Sequence, residues 1–213
     1  MKETKDRSLL YLNCIFYVRI ISLLLSLILF NVTIKNSVLS ASMSYFKQLP
    51  NVLVALCLIK LSGRYRASGI CNLVLVLLSI WTSLFHDFLL PYFYTVLSRR
   101  VVLFLLYFPS NITTFVALAA LFLEYAAHAA FFPADKKKWY ILLICSAAIS
   151  IASYLIAHLI PLATLQSLSP IFISKWNIGA RALITAFDLS YCILLWRGIR
   201  MIEKSKPEEN DIC

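Results

Sequence analysis

The sequence predicts an all-α protein, a polytopic membrane helix bundle of about six transmembrane helices with both termini in the cytosol. Three observations predict it. Of 213 residues, 61% are hydrophobic and only 14% charged, whereas a soluble domain carries about 45–50% apolar and about 25% charged residues. Mean hydropathy is +0.83, and apolar runs of crossing length, roughly 20 residues, recur along the whole chain. Basic residues lie in short clusters between those runs, the pattern by which Lys and Arg are retained on the cytosolic face. No alternating barrel signature is present, so backbone groups in hydrocarbon must be paired within helices.

The first span covers about residues 10–32, after the charged "KETKDR"; with no small-residue cleavage site it is expected to be retained. The second, about 40–60, is interrupted by Lys47, Gln48, Pro50 and Asn51, and only "VLVALCLI" is strongly apolar. The third runs from about 68 to 92, the fourth lies within 101–132, the fifth covers about 139–162 and the sixth about 177–197. Residues 1–200 then form a single transmembrane domain, with 201–213 a polar cytosolic tail. Lys2, Lys5 and Arg7, then Lys60, Arg64 and Arg66, then Lys136, Lys137 and Lys138, then Arg197, Arg200, Lys204 and Lys206 fall on one side of this layout. An even span count follows. If the second segment only dips into the membrane, the amino terminus changes sides.

The fourth segment is too long for one crossing: residues 101–132 would make a helix of about 48 Å, against about 30 Å of hydrocarbon. Either the crossing starts near Thr113, leaving "VVLFLLY" as an interfacial or re-entrant piece broken at Pro109, or it starts at Val101 and kinks there. In the first arrangement Glu124 is deep; in the second it is near the cytosolic headgroups.

In lipid, helices associate through small residues and interhelical hydrogen bonds. The fifth span offers Ser146, Ser150, Ser153 and Ala157 as one stripe, and the sixth offers Gly179, Ala182, Ala186 and Ser190. These two are expected to pack along those stripes. Ala119, Ala120, Ala126, Ala127 and Ala130 give the fourth span similarly thin faces.

Ionisable side chains inside spans are costly and default to functional candidates. Glu124 and His128 stand one turn apart in "LFLEYAAHAAFF", Arg19 lies about ten residues into the first span, and Arg181, Thr185 and Asp188 make a stripe on the sixth. Glu124, His128, Asp188, Arg181 and Arg19 are the candidate lining of an ion or solute path. The competing expectation is that Arg19 and His128 snorkel to the interface while the acids bond a neighbouring helix. His86, Asp87 and His158 fall at similar depth on the far side, two imidazoles and a carboxylate of metal-ligating type if their helices adjoin.

Known chemistries leave no trace. The chain has no HExxH, GxSxG, Walker or Gly-rich phosphate motif, and only four glycines. The cysteines show no CxxC or metal spacing, and those within apolar runs serve as small hydrophobes. Two sequons, at Asn31 and Asn111, abut or enter apolar runs where glycosylation has poor access. Trp81, Tyr92, Tyr94, Trp139, Tyr140, Trp176 and Trp196 are expected to be interfacial anchors. The net charge of +10 is topological and implies no nucleic-acid partner.

The sequence therefore points first to a non-enzymatic, multi-pass protein of the endoplasmic reticulum or another endomembrane, with no cofactor. It would act in assembly, scaffolding or membrane organisation, with the lipid bilayer and other membrane proteins as partners through its Ala/Ser/Gly-lined faces. The alternative is a small transporter or channel using the Glu/Asp/Arg path. A third is a lipid-handling intramembrane enzyme built on His86, Asp87 and His158.

Overall fold

The computed structural model describes residues 2–30, 48–85, 92–93, 96, 99–156 and 170–204. Six long helices carry it: α1 (Lys2–Phe30), α2 (Leu49–Lys60), α3 (Arg64–Leu84), α4 (Arg99–Phe131), α5 (Lys136–Tyr154) and α6 (Pro170–Lys204). No strand is present among the described residues. Among the described residues, four helical stretches have the length and apolar composition to cross a membrane: Asp6–Leu27, Arg64–Leu84, Ile112–Phe131 and Ile178–Lys204. α2 has 12 residues, a rise of about 18 Å, too little to cross alone. α5 has 19 residues and opens on three lysines.

Two short connections fix how the helices meet. α2 stops at Lys60 and α3 starts at Arg64. The reversal passes through Gly63 at φ 63, a left-handed conformation that a Cβ would oppose. It delivers Tyr65 to the first turn of α3, facing inward. Between α4 and α5, Pro133–Asp135 forms one 3-10 turn. Asp135 is buried there and holds two partners: Lys138 Nζ donates to its Oδ1 at 2.7 Å, and Arg197 Nε lies 3.5 Å from Oδ2. That carboxylate ties the start of α5 to the end of α6, and Trp139 is carried into the bundle as a result.

The core is one cluster that includes Leu12 and Ile15 of α1, Leu58 of α2, Trp139 of α5, and Leu195 and Ile199 of α6. All of these belong to the end of the bundle where the connections 61–63 and 132–135 lie, so the basic clusters at Lys60–Arg66, Lys136–Lys138 and Arg197–Arg200 gather at one pole. Backbone approach is closest at Gly69, where an added Cβ would stand 2.7 Å from Ala55 O and from Ile59 N. Ser68 beside it donates to Ala120 O at 3.0 Å. The α2–α3–α4 contact is thus built on Gly69, Ala55 and Ala120, small residues that let backbones come near.

Three expectations are corrected. α4 continues through Pro109 as uninterrupted α-helix, so "VVLFLLY" is no separate re-entrant piece. A membrane helix tolerates the lost backbone hydrogen bond at proline. The α6 stripe does not face α5: Gly179, Ala182, Ala186 and Ser190 are exposed, and nothing lies within 4 Å of where a Gly179 Cβ would be. α5 and α6 meet instead through larger side chains, among them Trp139, Leu142, Tyr191 and Leu195. Trp139, expected as an interfacial anchor, is 0% exposed; Trp81 and Trp196 remain on the surface. Helix α6 also runs past the expected end of its span, to Lys204. His86, Asp87, Tyr94, Ala157, His158, the sequon at Asn31 and residues 205–213 of the tail lie outside the described residues.

Candidate functional site: a buried Arg–Glu–Tyr–His chain

Glu124 lies seven residues before the end of α4, about 10 Å inside it. It is 3% exposed and His128 one turn later is 0% exposed, so both side chains are enclosed by protein. A carboxylate in such a place must be neutralised or hydrogen-bonded, and two other helices supply what it needs. Arg19 of α1 sets its Nη2 3.4 Å from both Oε1 and Oε2. Tyr191 of α6 donates its hydroxyl to Oε1 at 2.6 Å. The Arg19 guanidinium also sits over the Tyr191 ring, 5.5 Å from its centroid, a cation–π contact that fixes both groups.

The direction of the remaining hydrogen bonds follows from that pair. Having given its proton to Glu124, the Tyr191 oxygen can only accept from His128 Nε2, 2.8 Å away. Nε2 therefore carries the imidazole proton, and Nδ1, with a free lone pair, accepts from the Tyr65 hydroxyl at 2.9 Å. The result is a continuous chain, Tyr65 to His128 to Tyr191 to Glu124, in which each hydroxyl or N–H points toward the carboxylate. His128 Nε2 is also 3.9 Å from Glu124 Oε1. The imidazole stacks on Trp139 with centroids 4.6 Å apart and on Phe132 at 6.0 Å. Those rings hold it in the plane that both tyrosines require.

The chain borders open space on the side away from the basic pole. A cavity of about 290 Å³ is walled by α1, α2, α3, α4 and α6. Its polar wall includes Arg19, Glu124, Tyr191 and Asp188, and further along α1 and α3, Ser26 and Asn72. Asp188 has no hydrogen bond or salt bridge with any described residue. Arg19 Nε is buried with no acceptor among the described residues. The volume lies at the lower edge of the range of about 300–1,000 Å³ typical of small-molecule sites. With Arg19 and Glu124 paired, Asp188 adds one further, exposed carboxyl group to the wall.

The five candidate residues thus divide. Glu124, His128 and Arg19 are directly linked, Asp188 shares their cavity, and Arg181 is exposed on α6, where its carbonyl accepts from Thr185. Among the described residues no group of three or more His, Cys, Asp or Glu could hold a metal ion. Tyr65, Tyr191 and Trp139 were not foreseen as site residues. Tyrosine and tryptophan are ordinary in apolar runs, and only the fold reveals which hydroxyls meet a histidine. No family model, curated protein or solved structure matches the chain.

Proposed function

We propose that this protein is a small multi-pass membrane transporter whose cavity, walled by Arg19, Glu124 and Asp188, takes a small cationic solute of ammonium or guanidinium type. The observation that carries this reading is a carboxylate, Asp188, exposed on the cavity wall and without a hydrogen bond or salt bridge to any described residue, beside an Arg19 and a Glu124 that pair with each other. A cavity of net negative charge favours a cation, and lined by hydroxyl and amide groups it suits one that also donates hydrogen bonds. Six crossings with both termini cytosolic are part of this reading, the second needing residues before Leu49 in addition to the 12 of α2, and the gathering of basic clusters at one pole supports it. An endomembrane such as the endoplasmic reticulum is the proposed home, on the strength of connections as short as Leu61–Gly63 and Phe132–Asp135.

Uptake of radiolabelled methylammonium and guanidinium by proteoliposomes tests the reading. Wild-type protein takes up at least one of them saturably, and Asp188→Asn reduces uptake by about tenfold or more, the scale on which a paired charge contributes to recognition. Retention of full uptake by Asp188→Asn removes the cavity from the account.

A second reading, assembly or scaffolding, draws on a different observation. The exposed stripe of Gly179, Ala182, Ala186 and Ser190 on α6 has the small-residue spacing that admits another helix. Gly179→Leu would then abolish co-purification of a partner and leave the isolated chain's folding unchanged.

A further inference from the structure

We infer that the Tyr65–His128–Tyr191 chain is a proton relay that charges and discharges Glu124 from the basic pole, making the proposed cation site proton-coupled. The inference rests on the transporter reading and deepens it. Its basis is a juxtaposition of two recesses. Tyr65 lies in the wall of a second recess, about 440 Å³, formed with Ser62, Arg64, Ala127, Ala130 and Phe131 at the connection between α2 and α3. Tyr191 and Glu124 lie in the wall of the cavity on the other side. The aromatic layer of Trp139, Phe132 and His128 separates them, and through it the hydrogen bonds of 2.9, 2.8 and 2.6 Å are continuous.

Each hop conserves atoms and charge. The Tyr65 oxygen takes a proton from a hydronium ion in the outer recess, leaving water there, as its own proton passes to His128 Nδ1. The Nε2 proton passes to the Tyr191 oxygen, and the Tyr191 proton passes to Glu124 Oε1. One proton has moved from the recess to the carboxylate, and His128 is left as the Nδ1–H tautomer. Release of the Glu124 proton to the cavity, tautomer exchange of the imidazole back to Nε2–H and rotation of the two hydroxyls reset the chain. Protonated Glu124 no longer neutralises Arg19, so the net negative charge that Asp188 gives the cavity is cancelled and a bound cation is held less tightly. Proton arrival and cation departure are thereby linked.

The groups that face this chain come from every packed element: Arg19 of α1, Tyr65 of α3, Glu124 and Tyr125 of α4, and Asp188, Tyr191 and Cys192 of α6. α5 contributes only the uncharged Trp139. Histidine is the natural centre of such a path because its two nitrogens can exchange roles.

The test uses full-length protein in vesicles loaded with the pH dye pyranine, with a potassium gradient and valinomycin to impose a voltage. Wild type is expected to pass protons at least about tenfold faster than protein-free vesicles, and Tyr65→Phe and Tyr191→Phe to lose at least about tenfold of that rate, as removal of a proton-transferring group does. Phenylalanine keeps each ring, so packing is preserved. Wild-type flux at the protein-free rate, or undiminished flux in Tyr65→Phe, overturns the relay. If either variant fails to fold, the wild-type rate in D2O decides: slower flux supports proton hopping and equal flux overturns it. Methylammonium uptake by the same vesicles separates the two claims. Uptake without proton movement defeats the relay and leaves the cation site standing; proton movement without uptake defeats the cation site and supports the relay.

Discussion

Glu124 derives its place from two residues that no local pattern connects to it. Its charge is balanced by Arg19 and its Oε1 is bonded by Tyr191. Removing one side of a buried ion pair leaves the other uncompensated. Glu124→Gln is therefore expected to lower stability by about 1–3 kcal/mol, below the range of about 3–5 kcal/mol for fully buried pairs because Arg19 is 29% exposed. Arg19→Gln should cost a similar amount, and the double variant less than the sum, read as thermal unfolding in detergent. Additive losses would show that the two do not interact. Trp139→Ala is expected to be worse, about 3–5 kcal/mol, because a fully buried indole beside His128 leaves a cavity. At this scale the sequence was half legible. A glutamate and a histidine one turn apart in an alanine-rich run are conspicuous. Tyr65 and Tyr191, 63 residues from His128 in either direction, are conspicuous only once the helices are assembled. Trp139 was misassigned because it follows three lysines, where a boundary anchor is the ordinary occupant.

At the scale of elements, the small residues that matter are not the ones the spacing singled out. Gly69 has no room for a methyl group against Ala55 and Ile59, whereas Gly179 has open space around it. Gly69→Ala should push α2 off α3 and cost about 1–3 kcal/mol, as overpacking does. Gly179→Ala should leave the melting temperature within about half a kcal/mol equivalent. The contrast separates a contact inside the bundle from a face turned outward; equal effects would contradict the α2–α3 packing. The sequence shows that a face is thin, but not whether the covering helix belongs to the same chain. Helix adjacency has its own check in Cys14 and Cys57, whose Sγ atoms are 3.4 Å apart across α1 and α2. In a chain retaining only these two cysteines, mild oxidation should join them within one molecule, detected by mass shift after proteolysis between the helices. Failure to join would mean that α1 and α2 do not meet there. The long helix α4 was misjudged for a related reason: Pro109 signals a break in water, while in a membrane bundle the helix runs on.

The whole molecule is organised by polarity along its length. Basic clusters, the Asp135 clasp and the aromatic layer occupy one pole, and the cavity of Arg19, Glu124 and Asp188 lies on the other side of that layer. Composition alone foretold a helical membrane bundle, because only paired backbone survives in hydrocarbon. It did not foretell that the charges would meet around a cavity, since burial of a site depends on which faces the helices turn to one another. The most direct test of the central claim is saturable uptake of methylammonium and guanidinium into proteoliposomes carrying wild-type, Asp188→Asn or Glu124→Gln protein, each verified as folded by gel filtration. Wild-type protein is expected to take up these cations saturably, and both substitutions to reduce that uptake by about tenfold or more. Uptake by the wild type no faster than through protein-free vesicles, or equal uptake by all three proteins, would contradict it.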